Sequence, residues 1–103
     1  QNAHGLLVMR SGERSGERFS LSLDRVEIGR NPECTVCLDD VTVSRKHAAV
    51  SLVGSDWVLS DSGSLNGTYV NKHRVSTTTL VNGDELQIGK FRFVFVLAPN
   101  AGQ

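Results

Sequence analysis

The sequence has no excess of either charge: eleven Lys and Arg stand against eleven Asp and Glu. A balanced chain carries no long-range positive field, which argues against nucleic acid or an anionic membrane as a partner and leaves recognition to local electrostatics. Long apolar runs are also lacking. None approaches the roughly eighteen residues of a membrane span, and no charged-then-apolar leader opens the chain. The expectation is a cytoplasmic protein, or the cytosolic domain of a larger one. Cysteine is limited to Cys34 and Cys37. A structural zinc site needs two further ligands, and a redox dithiol of the thioredoxin type opens a helix, whereas "CTVCL" is β-branched and reads as a strand. Along a strand these two positions point to opposite faces, which opposes a disulfide. Two reduced thiols, with no metal and no cofactor, are expected. Helical periodicity is missing as well: no segment carries an apolar i, i+3, i+4 stripe of useful length.

What is present is a period of two. Phe19, Leu21 and Leu23 alternate with serines, Ala48, Val50 and Leu52 follow the same rhythm, Leu86 and Ile88 flank Gln87, and Phe91, Phe93, Phe95 and Leu97 alternate with Arg92, Val94 and Val96. Each run can bury one face. Trp57 and Leu59 in "DWVLSD" belong to the core or its edge. Between the runs lie "RSGERSGER", "GRNPE", "VGSD", "DSGSLNGT" and "VNGDE", rich in the Gly, Asn, Asp and Pro that corners require. With 103 residues there is room for one core. The reading is all-β: an antiparallel sandwich of about eleven short strands with its binding loops at one end. Residues 6–97 are expected to form the domain, with 1–5 and 98–103 as tails.

Three corners carry more polar chemistry than a turn requires. "IGRNPE" places Arg30 after Gly29, where a strand ends. "VTVSRKH" places Ser44, Arg45 and Lys46 before a strand that begins near His47. "DSGSLNGTYVN" places Ser64, Leu65 and Asn66 between Gly63 and Gly67. Brought together, they would offer a guanidinium fork, hydroxyls, a carboxamide and amides freed by glycine, which is the donor set of an anion site. Taken singly each has an ordinary reading: a surface arginine, a loop hydroxyl, an Asn-Gly hairpin turn. Lys72, His73 and Arg74 form a second basic cluster that either extends the positive surface or is simply solvated.

The ordered set Gly29-Arg30, Ser44-x-x-His47, Asn66-Gly67-Thr68 and Asn71 resembles the forkhead-associated (FHA) domain, a phosphothreonine-peptide binding module, over about residues 6–96. Through "LDDVTVSRKHA", "GSLNGTYVN" and "NGDELQIGKFR" the chain is most similar to small bacterial FHA regulators of 2-oxoglutarate metabolism. The resemblance implies an eleven-stranded β-sandwich. It also implies that Arg30 and Ser44 contact phosphate, that Arg45 adds donors, and that Asn66 bonds the ligand main chain beside the phosphothreonine. His47 would brace the loops, while Gly29, Gly67, Thr68 and Asn71 shape the corners. Where many members carry Ser or Thr, this chain has Leu65, so that contact falls to the Leu65 amide or to Ser64. Residues beyond the phosphothreonine would be read near Thr42 and Asn82-Gly83.

Ser44 and His47 with Asp61 also suggest a hydrolase triad, but no Gly-x-Ser-x-Gly elbow occurs, and two arginines beside a neutral serine suit a stable dianion. The expectation is therefore no enzyme and no catalytic residue. The chain is read as a monomeric adaptor or regulator in Ser/Thr kinase signalling whose partner is a phosphothreonine protein or peptide, such as a kinase or its substrate. The alternative is phospho-independent docking on a metabolic enzyme, inhibiting it.

Overall fold

The computed structural model describes residues 4–98. Within them the chain forms eleven strands: β1 His4–Met9, β2 Arg18–Leu21, β3 Arg25–Gly29, β4 Val36–Cys37, β5 Ala48–Val53, β6 Asp56–Asp61, β7 Thr68–Val70, β8 His73–Val75, β9 Thr77–Thr79, β10 Glu85–Ile88 and β11 Phe91–Ala98. One sheet has the order β2-β1-β11-β10-β7-β8 and the other β4-β3-β5-β6-β9. Among the described residues no helix is long and apolar enough to cross a membrane.

The alternation read from the sequence places the core. Phe93 and Phe95 of β11 are fully buried and lie opposite Met9 and Leu7 of β1. Facing them, Val26 and Ile28 of β3, Val50 of β5 and Leu59 of β6 are equally buried, with Val50 paired to both Val26 and Leu59. Two inner faces of branched and aromatic residues thus close on each other, as in a packed pair of sheets. Trp57, 7% exposed, caps one side of this core.

The structure differs from these expectations in three details. β3 and β4 run parallel, Ile28 opposite Val36, within a sandwich otherwise paired antiparallel. The strand expected across "CTVCL" is only Val36–Cys37, because the turn closed by the Cys34 amide on the Asn31 carbonyl, at 2.9 Å, takes Cys34 out of it. Leu23 does not extend β2: that strand ends at Leu21, and Leu23 is 56% exposed. At the ends of the described residues β1 and β11 pair His4 with Ala98 and Gly5 with Leu97; the rest of the two expected tails lies outside the described residues.

Candidate functional site

The β3–β4 loop, the long β4–β5 loop and the β6–β7 loop meet at one end of the sandwich. Backbone bonds splice the first two, with the Arg30 amide on the Ser44 carbonyl at 3.0 Å and the Asn31 amide on the Arg45 carbonyl at 3.1 Å. Gly29 makes this approach feasible, because a Cβ there would fall on the Arg45 carbonyl. The third loop joins through the Leu65 amide, which donates to Ser44 Oγ at 3.0 Å, and through Asn66 Nδ2, which donates to the Thr42 carbonyl at 3.0 Å. The three polar corners of the sequence therefore form one surface.

His47 lies beneath that surface, fully buried. The Ser44 amide donates to its Nδ1 at 3.0 Å, so the ring proton is on Nε2, which bonds the Gly67 carbonyl at 2.9 Å. Both ring nitrogens are committed to backbone. Neither can take a proton from the Ser44 hydroxyl, so the pair that suggested a triad is a strut between two loops.

Asp61 holds the β6–β7 loop. Its carboxylate accepts from the Gly63 amide (3.0 Å), the Ser64 amide (3.1 Å), the Ser64 hydroxyl (2.5 Å) and the Thr68 hydroxyl (2.6 Å). Burial pushes this carboxyl up, but the bonds from Ser64, Thr68 and Gly63 together outweigh it and leave it below the ordinary carboxylate range. The sequence reading considered Asp61 only as an acid. The signal available was its place at the head of "DSGS", where an Asx or ST turn is the usual use of such residues.

The same bonds redistribute the expected phosphate contacts. Ser64 turns inward, its hydroxyl given to Asp61 while its oxygen accepts the Gly67 amide at 2.9 Å, and the Leu65 amide is spent on Ser44. Neither group is free for an anion. The Ser44 hydroxyl, whose oxygen accepts Leu65, keeps its own proton to donate outward. Arg30 donates Nε to the Val43 carbonyl at 3.0 Å, which fixes the plane of the guanidinium and leaves both Nη groups for a fork. Arg45 and Asn66 are exposed beside it. Three ion pairs occur among the described residues, Arg14–Glu17, Arg25–Glu27 and Lys90–Asp40, and none of them neutralises Arg30 or Arg45. Arg74 also reaches this end, its Nε 2.8 Å from where a Cβ on Gly67 would stand.

Beyond Asn66 a groove of about 310 Å³ continues between Thr42, Tyr69, Gln87, Gly89 and Lys90. A larger cleft of about 470 Å³ opens on the far side of Lys90, where Glu13, Asp39 and Asp40 stand against Arg14 and Lys90, so it has no excess of positive charge to draw an anion. Val41 and Leu65, 93% and 85% exposed, flank the Thr42–Asn66 link. The Asn71 corner and the Asn82-Gly83 turn lie away from this surface. Asn71, in left-handed conformation with φ 51°, takes the Glu85 amide and donates to Asp84 at the opposite end of β7. Asn82-Gly83 packs on Leu97 and Phe95, at the end of β10 away from Gly89, so it is not part of the reading surface.

The FHA domain family model matches residues 26–89. The chain is 50% identical over 96 residues to the glycogen accumulation regulator GarA of Mycolicibacterium smegmatis, covering 93% of this chain and 61% of that protein. It is 50% identical over 91 residues to the oxoglutarate dehydrogenase inhibitor of Corynebacterium jeikeium, covering 88% of this chain and 63% of that one. It thus spans about three-fifths of the length of these curated relatives. Among solved structures, an FHA domain studied for phosphothreonine-dependent interactions superposes with a TM-score of 0.86 at 29% identity, covering 94% of this chain and 99% of the other.

Proposed function

Because the chain belongs to the FHA-domain family, we propose that it reads phosphothreonine in partner proteins and acts as an adaptor or regulator in Ser/Thr kinase signalling, by binding and not by catalysis. The observation that carries this reading is the Arg30–Ser44 pair: a guanidinium held in plane by the Val43 carbonyl, with two free Nη groups, beside a hydroxyl whose proton is free. A phosphothreonine presents about −1.5 to −2 charges and three acceptor oxygens near neutral pH, which this donor set matches. In this reading Arg30 and Ser44 hold the phosphate, and Arg45 adds positive charge. Asn66 bonds the ligand main chain. His47, Ser64, Leu65, Gly29, Gly67 and Thr68 hold the loops, with Asn71 shaping a distant corner. The module spans residues 6–97 with its strands continuing to 4 and 98, works as a monomer and is cytoplasmic.

The relatives named as a glycogen accumulation regulator and an oxoglutarate dehydrogenase inhibitor favour a second reading, a domain that docks on a metabolic enzyme and inhibits it, here taken as independent of phosphate. Titration with matched peptides carrying threonine, phosphoserine or phosphothreonine, against wild type and Arg30→Ala, separates the two. Phosphothreonine-only binding lost in the variant supports the first. Binding indifferent to phosphate and to Arg30 supports the second.

A further inference from the structure

Cys34 and Cys37 do not lie along one extended strand, so they do not point to opposite faces. The turn closed on Asn31 carries Cys34 back over β3, while Cys37 ends β4 in parallel register with Gly29. Ile28 and Val36, the pair before them, are both buried, so alternation turns Gly29 and Cys37 to the outer face. Cys34 reaches that same face: its Sγ stands 3.1 Å from where a Cβ on Gly29 would be. β4 is the edge strand of its sheet, and a cleft of about 230 Å³ lined by Glu27, Asn31, Glu33, Thr35 and Lys46 opens on Cys34. Both cysteines are free and partly exposed.

Each thiol is also tied to one of the two arginine segments. Cys34 Sγ donates to the Arg45 carbonyl at 3.6 Å, the carbonyl that accepts the Asn31 amide and so splices the two loops. Cys37 Sγ donates to the Arg30 carbonyl at 3.8 Å. Burial, with the Glu27 carboxylate and Cys37 nearby, pushes the Cys34 thiol up against the smaller pull of the Asn31 bond and Lys46, so at neutral pH it keeps the proton it donates.

We propose that Cys34 and Cys37 are a redox-modification site: a dithiol that a small neutral peroxide closes to a disulfide, loosening the loops of Arg30 and Arg45 and weakening phosphothreonine binding. The consequence for binding rests on the phosphothreonine reading; the disulfide does not. In the step, one thiolate attacks a peroxide oxygen, the O–O bond breaks, and a sulfenic acid and hydroxide form. The second sulfur attacks the sulfenic sulfur, making the S–S bond and expelling hydroxide. Each hydroxide takes up a thiol proton, so the dithiol gives two electrons and one peroxide becomes two waters. Both thiol donors to the Arg30 and Arg45 carbonyls are consumed, and the sulfurs leave those carbonyls to meet. At the cleft Glu27 and Glu33 outnumber Lys46, which favours a neutral oxidant over an anionic disulfide.

The test oxidises the chain with hydrogen peroxide at mildly alkaline pH, where thiolate forms. It reads intact mass, alkylation of free thiols, and affinity for one peptide in its threonine and phosphothreonine forms. Wild type is expected to lose the mass of two hydrogens as a monomer, to resist alkylation, and to bind the phosphothreonine peptide on the order of tenfold more weakly, with dithiothreitol restoring all three. Cys34→Ser and Cys37→Ser, whose hydroxyls replace the thiol donors, should bind like reduced wild type and lose at most about twofold on the same treatment. Thiols still open to alkylation, or added oxygen in place of a disulfide, overturn the inference, as does a disulfide that leaves phosphothreonine affinity unchanged. Reduced wild type that binds both peptide forms equally overturns the phosphothreonine reading instead, and the mass then decides the disulfide alone.

Discussion

Replacing Asp61 with alanine removes the acceptor that organises the β6–β7 loop, and the structure sets the size of the effect. Two of its four donors are hydroxyls of buried residues, Ser64 at 8% exposure and Thr68 at none. A buried hydroxyl stripped of its partner costs about 1–3 kcal/mol, while the Gly63 and Ser64 amides, in a more open turn, recover water. The loss should be about 3 kcal/mol, a fall in melting temperature on the order of 15 °C for a domain of this size. Thr68→Val in the Asp61→Ala background should restore part of it, since the orphaned hydroxyl is then gone as well. Because the folded carboxyl lies below its ordinary range, its contribution is fully present above the unfolded value near pH 4 and is lost as pH falls further. The gap between wild type and variant should therefore narrow in acid. Urea titrations monitored by circular dichroism between about pH 7 and pH 3 measure this. A loss under about 1 kcal/mol, or a gap that does not narrow in acid, refutes the reasoning.

Gly29→Ala should destabilise the domain by about 1–3 kcal/mol and weaken phosphopeptide binding together, since the Arg45 carbonyl must retreat from the new methyl and carry its loop with it; thermal melts and titrations report the two effects. Leu65→Thr should leave stability within about 0.5 kcal/mol, because that side chain is 85% exposed, and should raise phosphothreonine affinity by adding a hydroxyl where the site now has none; unchanged affinity places residue 65 off the phosphate. Binding should weaken as pH falls through about 6, where the phosphate takes up its second proton, and as salt rises. A peptide with Glu in place of phosphothreonine should bind at least tenfold more weakly, having one charge and a planar head.

The core was legible because burial in a sheet imposes its period on the chain: Phe93 and Phe95, or Leu86 and Ile88 around Gln87, leave no other arrangement. Misreadings came where one local turn outweighs the alternation, as at Cys34, drawn off by Asn31, and at Leu23, beyond the end of β2. Ala49 breaks the pattern too, buried where alternation would expose it. The site was legible as a set of residue types on three loops, but not as a bond network. Ser64 and Leu65 lie where sequence order puts them, yet their donors face Asp61 and Ser44, a choice set by which acceptor the folded loop brings nearest. Thr42 and Gly89 meet across both sheets, and nothing within either segment announces that contact. Asn82-Gly83 resembles a reading loop only until the strands show that turns on either side of β10 lie at opposite ends.

The most direct test of the central claim is the affinity of wild type and Arg30→Ala for a single peptide in its threonine, phosphoserine and phosphothreonine forms. Loss of one charge-assisted fork is worth about 1.5–3 kcal/mol, so wild type should bind the phosphothreonine form and Arg30→Ala should bind it at least tenfold more weakly. Equal binding of all three forms, unmoved by Arg30→Ala, would contradict the account.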